Sequence, residues 1–491
     1  MTERRASANW KWLVPVLVFA GVWFLLEGRP NNQQAVGAIF AATVSLWILE
    51  IFPLTVTSLL STSLLVLVAS VDEKTAFGAY GDPIIPLFIG SFILAKAMEV
   101  SGLSARLAWM ILRRPGASKT PGRLLFSIAV VTCVLSLFVS NTATTAMMLP
   151  IGLSILAKLN SDTRGGPFAV AMMLTLTYAS SVAVGTTIGT PPNLLALSQI
   201  ESATGYRIGF AEWMIFGMPI TLALTVGTWA LLKILYGKSW PSTGHKAELA
   251  AEELKIAGKL SPAERHASLA FFVTLGLWMG PDLVGMLAGD QDSVYLWLRE
   301  HLTATVAALI GASILFIGAP QVEGKPVFGW AQARSIDWGT IMLFGGGIAL
   351  GQAMFASGLA KDLGEMAAQA MGTQSIWAIT ALCTAAAILM SELSSNTASA
   401  STLLPVSIGL SLGAGVNPIP AALGVALGAS LGFMLPVSTA PNAIVFSSGL
   451  VPSKIMIRNG VMVDVLGFLI VMAGLYLTLP AMGLTGPLPA R

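Results

Sequence analysis

The chain has 491 residues, of which 55% are hydrophobic and only 10% are charged. A soluble domain carries roughly 25% charged residues, so this composition excludes an ordinary water-soluble protein. The formal net charge of +3 adds little, and no nucleic-acid partner is expected. The sequence therefore predicts an all-α protein that crosses a lipid bilayer many times.

Apolar runs long enough to cross a bilayer, about 20 residues, recur along the whole chain. The first run follows Arg4, Arg5 and Lys11 and continues past Glu27 without a convincing cleavage site. We therefore expect a retained first helix with a cytoplasmic N-terminus and about eleven spans in a cell (inner or plasma) membrane. The clearest runs are Trp12–Leu26, Ala35–Leu49, Pro53–Val71, Ile84–Leu112, Trp213–Leu235, Leu269–Leu287, Leu302–Ile317 and Val461–Leu479.

Two blocks of the chain recur at nearly the same spacing. Phe88–Leu103 matches Phe344–Leu359 at an offset of 256, with eight of sixteen residues identical. Ser140–Pro150 matches Ser395–Pro405 at an offset of 255, with six of eleven residues identical. Two blocks in the same order and register indicate an internal repeat. Membrane transporters place a shared site where two such repeats meet.

The charges beside the repeated Ser-Asn-Thr segments differ between the two halves. Five basic residues precede the first segment, namely Arg106, Arg113, Arg114, Lys119 and Arg123. The second segment follows Lys361, Asp362 and Glu365 and precedes a long uncharged stretch. The positive-inside rule therefore predicts inverted repeats. The first half would cover 1–237 and the second 267–491, joined by a polar connector at 238–266.

Each Ser-Asn-Thr segment lies between apolar stretches that are too short to span the bilayer alone. This pattern predicts a re-entrant helical hairpin, because irregular backbone at membrane depth is tolerated only against a water-filled cavity. We expect hairpins at about 119–160 and 375–413, followed by broken helices at about 167–200 and 418–449. Small polar residues can simply hold helices together, but asparagines at matched positions in both repeats favour a binding site.

Prolines interrupt both broken helices, in VGTTIGTPPN at 184–193 and LPVSTAPN at 435–442. Proline removes a backbone donor and exposes carbonyl groups, which can bind cations. Neither hairpin tip carries Lys or Arg, so an anion bound there would need mobile cations beside it. Sodium takes oxygen ligands, and helix N-termini suit carboxylates. A sodium-coupled anion carrier is thus predicted, and the paired Asn-Thr motifs suggest an anion with two similar ends.

Three further charged residues stand out within the apolar segments. Glu392 lies inside the second hairpin, where an intramembrane carboxylate is a functional candidate by default. A role in cation binding or domain positioning is favoured, with a structural hydrogen bond left open. Lys96 and Glu99 are one helical turn apart and favour an ordinary ion pair. The sequence offers no nucleophile with a base and no metal cluster, so an enzyme is not predicted.

Taken together, these motifs resemble the divalent anion/sodium symporters, a family that includes bacterial and animal dicarboxylate and citrate carriers. The resemblance runs from Trp47–Leu60 (WILEIFPLTVTSLL) through both hairpins to Phe433–Gly449 (FMLPVSTAPNAIVFSSG). It implies a homodimer in which a transport domain moves against a scaffold domain as an elevator. It also implies symport of C4 dicarboxylates such as succinate, malate and fumarate with sodium. Related carriers that exchange dicarboxylates or tartrate without sodium, or that carry sulfate, are the alternatives.

By motif position, the resemblance implies two sodium sites and one substrate site. The first sodium site would use Ser136, Ser140, Asn141 and Gly189. The second sodium site would use Ser391, Ser394, Asn396 and Ser438. The dicarboxylate would contact Asn141, Thr142, Asn396, Thr397, Thr439 and Ala440. At Ala440 this chain departs from the Thr-Pro-Pro-Asn that is common in the family.

Overall fold

The computed structural model describes residues 9–112, 119–159, 166–240, 259–289, 291–322, 325–371 and 374–486. The helices of the first half are α1 (Asn9–Leu25), α2 (Asn31–Leu49), α3 (Leu54–Leu67), α4 (Glu73–Gly78), α5 (Ile84–Val100), α6 (Leu103–Leu112), α7 (Pro121–Ser136), α8 (Asn141–Lys158), α9 (Pro167–Ser181), α10 (Pro191–Thr204) and α11 (Phe210–Tyr236). Those of the second half are α12 (Pro262–Ala288), α13 (Ser293–His301), α14 (Ala304–Ile314), α15 (Trp330–Ala333), α16 (Trp338–Ala356), α17 (Leu359–Met371), α18 (Ile376–Leu393), α19 (Asn396–Gly413), α20 (Ile419–Ala429), α21 (Ala440–Ser447) and α22 (Ser453–Thr478).

The minor elements are short. Single 3₁₀ turns follow α4 at Ala79–Gly81 and α11 at Gly237–Ser239. Gln321–Val322 and Lys325–Pro326 pair as two antiparallel strands of two residues each. Of the predicted connector at 238–266, residues 241–258 lie outside the described residues.

Within the described parts of the chain, seven helices are long and apolar enough to cross a membrane. Seven further apolar helices are shorter, among them α7, α8 and α20. The prediction of an all-α membrane protein is confirmed. Hydropathy detects an apolar run but not the breaks inside it. The predicted count of about eleven spans therefore equals neither the number of long apolar helices nor the number of short ones.

Two helices lie at the centre of the molecule. In α9 every residue from Phe168 to Ser181 is buried, and in α20 every residue is buried. Neither helix has a polar face, which is the pattern of a helix surrounded by other helices. The irregular segments that follow them, 182–190 and 430–439, therefore also begin deep inside the protein.

Corresponding helices make corresponding contacts in the two halves. Helix α3 packs on α16, and α14 packs on α5. Across the halves, α10 packs on α19 and α21 packs on α8. Each broken helix thus lies against the hairpin of the other half, which brings both Ser-Asn-Thr segments to one place.

Candidate functional site

A cavity of about 560 Å³ lies between the two hairpin tips. Its lining includes Ser140, Asn141 and Thr142 from the first tip and Ser395, Asn396 and Thr397 from the second. The segments before α10 and α21 complete the wall with Gly189, Thr190, Ser438 and Thr439. Volumes of roughly 300–1,000 Å³ are usual for small-molecule sites, so the cavity has the size of one.

The first hairpin tip is formed where α7 ends at Ser136 and α8 begins at Asn141. Ser140 caps α8 by accepting a hydrogen bond from the Ala143 N–H at 3.3 Å. In the amide orientation that satisfies its hydrogen bonds, Asn141 donates to Ser136 Oγ at 2.8 Å, Ser180 O at 3.1 Å and Gly189 O at 3.2 Å. Asn141 therefore connects the hairpin to the loop after α9.

The second tip repeats this arrangement where α18 gives way to α19. Ser395 caps α19 by accepting from the Ala398 N–H at 3.2 Å. The hydroxyl of Ser391 lies 2.7 Å from the Asn396 side chain and 2.7 Å from the carbonyl oxygen of Ala429. The contact between Ser136 and Asn141 thus recurs between Ser391 and Asn396, as the sequence repeat leads one to expect.

Buried asparagines hold the two loops that precede α10 and α21. The Asn193 amide donates to Val184 O and Thr186 O at 3.2 and 2.8 Å. The Asn442 amide donates to Gly432 O and Leu435 O, both at 2.9 Å. Both side chains are fully buried, so these asparagines fix the loop conformation from behind.

Gly189 is required for the close turn of the first loop. A Cβ at this position would lie 2.2 Å from the carbonyl oxygen of Ala183 and 3.1 Å from Thr186 Oγ1. Real Cβ atoms do not approach backbone oxygen that closely. The absence of a side chain therefore lets the carbonyl of Gly189 reach Asn141.

Four helices begin at the cavity: α8, α10, α19 and α21. The first N–H groups of a helix have no acceptor within it, and this end carries the positive pole of the helix dipole. Ser140 takes the N–H groups of Ala143 and Thr144, which leaves those of Asn141 and Thr142 for a ligand. The cavity is consequently suited to an anion.

One described cation, Lys96, also lines the cavity, and it is already neutralised. Its ammonium lies 2.8 Å from the carboxylate of Glu99, and the two side chains are 29% and 43% exposed. The predicted ion pair is confirmed, but its place in the cavity lining was not anticipated. Glu50 and Asp337 line the same region.

Comparison with known proteins agrees with the motifs. The family described as the sodium:sulfate symporter transmembrane region matches residues 6–479, which is nearly the whole chain. The chain belongs to this family. The predicted membership of the divalent anion/sodium symporters is confirmed, and because this family consists of transporters, the chain is a membrane transporter and not an enzyme.

Individual relatives in the family are similar over most of their length. The sodium-dependent dicarboxylate transporter SdcS of Staphylococcus saprophyticus is 33% identical over 485 residues, covering 95% of this chain and 91% of that protein. SdcS of Staphylococcus aureus strain USA300 is 33% identical over 483 residues, with 96% and 91% covered. The crystal structure of the YdaH transporter of Alcanivorax borkumensis shares the fold, with a TM-score of 0.58 at 16% identity over 93% of this chain and all of that one.

The structure places most of the residues implied by the family resemblance at the cavity wall. Nine of them line it: Ser140, Asn141, Thr142, Gly189, Asn396, Thr397, Ser438, Thr439 and Ala440. Three lie behind the wall, namely Ser136, Ser391 and Ser394, all of which are buried. Ser136 and Ser391 contact the wall through the hairpin asparagines. The hydroxyl oxygen of Ser394 has no hydrogen-bond partner among the described residues.

Glu392 lies directly behind the second tip and is only 2% exposed. Its carboxylate accepts hydrogen bonds from the Met434 N–H at 2.9 Å, the Leu435 N–H at 3.2 Å and the Ser438 hydroxyl at 2.6 Å. The corresponding residue of the first repeat is Leu137. The carboxylate therefore holds the loop that carries Ser438, and it does so in one half only.

Several members of the site were not identified from the sequence. The walls contributed by Phe88, Ser91 and Phe92 of α5 depend on how distant helices pack. Asp464 of α22 lies beside Glu392 and is 5% exposed. No described donor bonds to either of its oxygens. A lone acidic residue in the apolar run Val461–Leu479 was the available signal for Asp464.

Proposed function

We propose that the chain is a secondary active transporter that carries a C4 dicarboxylate, such as succinate, malate or fumarate, together with sodium. The observation that carries this proposal is the convergence of four helix N-termini and both Ser-Asn-Thr tips on one cavity. The SdcS relatives are named sodium-dependent dicarboxylate transporters. This similarity supports the same class of substrate and the same coupling ion.

The substrate would be held by its two carboxylates, one at each hairpin tip. Asn141 and Thr142 offer backbone N–H groups and polar side chains on one side, and Asn396 and Thr397 offer the same on the other. Thr439 and Ala440 add the beginning of α21, where the Thr439 hydroxyl caps the helix at Asn442. Two equivalent half-sites fit an anion with two equivalent ends.

Binding such an anion requires positive charge that the protein does not supply. The described lining residues include Lys96, which is paired with Glu99, and the carboxylates of Glu50 and Asp337. Burying an uncompensated dianion in a low-dielectric site costs several kcal/mol. Sodium ions bound beside the substrate would offset that cost, which is the physical basis for coupled transport.

The first sodium site would lie at the first tip, where the Asn141 amide lies 2.8 Å from Ser136 Oγ and 3.2 Å from the carbonyl oxygen of Gly189. Ser140 adds a fourth oxygen at the beginning of α8. With the Asn141 amide turned so that its oxygen faces the ion, all four ligands would be neutral oxygens, which are the ligands that hard cations take in proteins.

The second sodium site would lie at the second tip, among Ser391, Ser394, Asn396 and Ser438. Ser394 is buried, and its hydroxyl has no hydrogen-bond partner among the described residues. Buried hydroxyls usually have a partner, so this oxygen would serve as a ligand of the cation. The Glu392 carboxylate lies one hydrogen bond from this site, because it accepts from the Ser438 hydroxyl. The second site would thus carry more negative charge than the first.

Alternating access would proceed by an elevator movement between inverted repeats. The cavity is lined by Ser91 and Ala95 of α5, whereas the corresponding Gly347 and Gly351 of α16 pack against Ser401 and Gln199. Two repeats with similar sequences but different contacts imply a second state in which these contacts are exchanged.

We infer the orientation in the membrane from charge. Lys96 and Glu99, which line the cavity, lie in the last turn of α5, and basic residues are concentrated between α6 and α7 in the sequence. The positive-inside rule favours the cytoplasm for that side of the membrane. In the proposed orientation the N-terminus is cytoplasmic and the chain lies in the cell membrane. The homodimer implied by the family resemblance is part of the same proposal.

The test is uptake of radiolabelled succinate into proteoliposomes, with an inward sodium gradient or with choline replacing sodium. Malate, fumarate, tartrate, citrate and sulfate serve as competitors. We expect sodium-dependent uptake that the C4 dicarboxylates inhibit. Flux that needs internal dicarboxylate and ignores sodium would make the chain an exchanger, and dominant inhibition by sulfate would make it a sulfate carrier.

A further inference from the structure

A second cavity, of about 460 Å³, lies between the beginning of α7 and the end of α11. It shares no lining residue with the first cavity. Its wall consists of Thr120, Pro121, Gly122, Arg123, Trp229, Lys233, Gly237 and Trp240. This cavity is therefore separate from the transport site.

The second cavity is positively charged. Arg123 and Lys233 are its charged lining residues, and neither forms an ion pair with a carboxylate in the part of the chain that the structure describes. Helix α7 begins here, with Thr120 accepting the Arg123 N–H at 3.2 Å and the Leu124 N–H at 2.9 Å. The Gly122 N–H and the positive end of the helix remain available, so the cavity would attract an anion.

Two indole groups shape this cavity. Trp229 donates its ring N–H to the Gly122 carbonyl at 2.9 Å, and the Lys233 ammonium lies 5.0 Å from the centre of the Trp229 ring. The ring nitrogen of Trp240 is buried and has no acceptor among the described residues. A buried donor without an acceptor indicates a missing oxygen ligand, and tryptophan is typical of the headgroup level of a membrane.

An apolar strip on α11 leads away from the cavity. Leu222 and Val226 are 63% and 38% exposed, and with Trp229 and Lys233 they follow each other at three- or four-residue spacing. Residues at this spacing share one face of a helix. The surface thus combines a cationic end with an apolar track, which matches an amphiphile and not a free ion.

We propose that this second cavity binds the phosphate headgroup of an anionic phospholipid, with an acyl chain along Leu222 and Val226. Arg123, Lys233 and the start of α7 would neutralise the phosphate, and Trp240 would donate a hydrogen bond to it. Basic pockets between membrane helices bind anionic headgroups in this way. Because α7 is the first arm of the first hairpin and α11 packs on it, the lipid would attach to the body that carries the substrate site.

The test is equilibrium binding of fluorescently labelled phosphatidylglycerol to the full-length protein in detergent micelles. Unlabelled phosphatidylglycerol, phosphatidylcholine and inorganic phosphate serve as competitors. Each cation near an anionic lipid contributes roughly fivefold in affinity, so Arg123→Gln with Lys233→Gln should weaken binding about twenty-five-fold. Trp240→Phe, which keeps the ring packed against Phe168, should weaken it by about fivefold, the worth of one hydrogen bond.

The matched control is Lys454→Gln with Arg458→Gln. It removes two exposed cations near the start of another membrane-spanning helix, α22, that do not line the cavity. An equal loss of binding in the control would reduce the effect to general surface charge and overturn the proposal. Displacement by phosphate as effective as by phosphatidylglycerol would assign the site to a free anion. Equal competition by phosphatidylcholine would show that the site has no preference for an anionic headgroup and would overturn the proposal. This measurement uses the unmodified protein.

Discussion

Asn141 and Asn396 occupy the same position in the two hairpins, at the first residue of α8 and of α19. Replacing either with alanine removes a side chain that lines the cavity and bonds to a serine of the preceding helix, Ser136 or Ser391. For Asn141 three hydrogen bonds are lost, and at about 1 kcal/mol each this predicts roughly a hundredfold lower uptake. The measurement is the rate of succinate uptake into proteoliposomes that contain Asn141→Ala or Asn396→Ala.

Each asparagine variant should remain folded and keep the oligomeric state of the unmodified protein, because its side chain lies at the cavity and not in the core. Size-exclusion profiles check this. Asn32→Ala, an exposed asparagine on α2, is the matched control and should transport normally. Unchanged uptake in both hairpin variants would refute the site.

We propose Glu392 as a positioning residue for the proposed second sodium site. Glu392→Gln replaces an acceptor of three hydrogen bonds with a group whose NH₂ faces other donors, and it removes the negative charge behind Ser438. Hydrogen bonds to a charged group contribute about 1.5–3 kcal/mol, so we predict at least about a tenfold higher sodium concentration for half-maximal uptake. The KM for succinate at saturating sodium should change much less.

Glu50→Gln is the control for Glu392, since it removes a carboxylate that also lines the cavity region but bonds to none of the loop residues. Sodium titration of uptake compares the two variants. Equal shifts in both would mean that only the overall charge near the cavity matters, and no shift in Glu392→Gln would leave the residue a purely structural role.

At the scale of elements, the loop between α9 and α10 depends on Gly189. Gly189→Ala places a Cβ 2.2 Å from the Ala183 carbonyl, so the loop must shift and withdraw its own carbonyl from Asn141. We predict a loss of sodium-dependent uptake of about tenfold or more, equivalent to at least one lost hydrogen bond with displaced backbone. Sodium titration and thermal unfolding of the purified variant separate a site defect from instability.

Gly276→Ala on α12 is the matched control for Gly189. A Cβ there has no neighbour within 4 Å, and alanine favours a helix more than glycine does. Transport and thermal stability of this variant should equal or exceed those of the unmodified protein. A normal sodium dependence in Gly189→Ala would exclude the loop carbonyl as a ligand.

The sequence predicted those elements whose chemistry is local. Asn141 and Asn396 begin helices because the preceding serines cap them, and a polar tip between short apolar stretches has few other solutions in a membrane. The walls formed by α5 could not be predicted, because Phe88 and Ser91 reach the cavity only through packing between distant segments. The asparagines Asn193 and Asn442, which end the two proline-containing motifs, are buried and support the loops, a role that depends on contacts the motifs do not show.

At the scale of the whole molecule, equivalent helices of the two halves make different contacts. Helix α17 packs on α19, whereas its counterpart α6 packs on α7. A Cβ at Gly364 of α17 would lie 2.0 Å from the carbonyl oxygen of Gly409 in α19, so this contact is made between backbones. Such an asymmetry between equivalent units is what an alternating transporter needs, because exchanging the two arrangements converts one state into the other.

A disulfide tests the proposed exchange of contacts between the repeats. Gly347 of α16 contacts Ser401 of α19 here, with an added Cβ 2.7 Å from the Ser401 hydroxyl. The offsets of 256 and 255 between the repeats map this pair onto Ser91 and Ala146, which both line the open cavity in this state. In the exchanged state these two positions should approach within the roughly 4 Å between Cβ atoms that a disulfide needs.

We therefore predict that Ser91→Cys with Ala146→Cys forms a disulfide in a background lacking Cys133 and Cys383, both of which are buried and free. Oxidation should abolish succinate uptake, and a reductant should restore it, because the bridge holds α5 against α8 and closes the present cavity. Each single variant should transport normally under the same oxidation. If the double variant stays uncrosslinked with and without sodium and substrate, while transporting normally, α5 and α8 do not meet during the cycle and the exchange of contacts between repeats is not the mechanism.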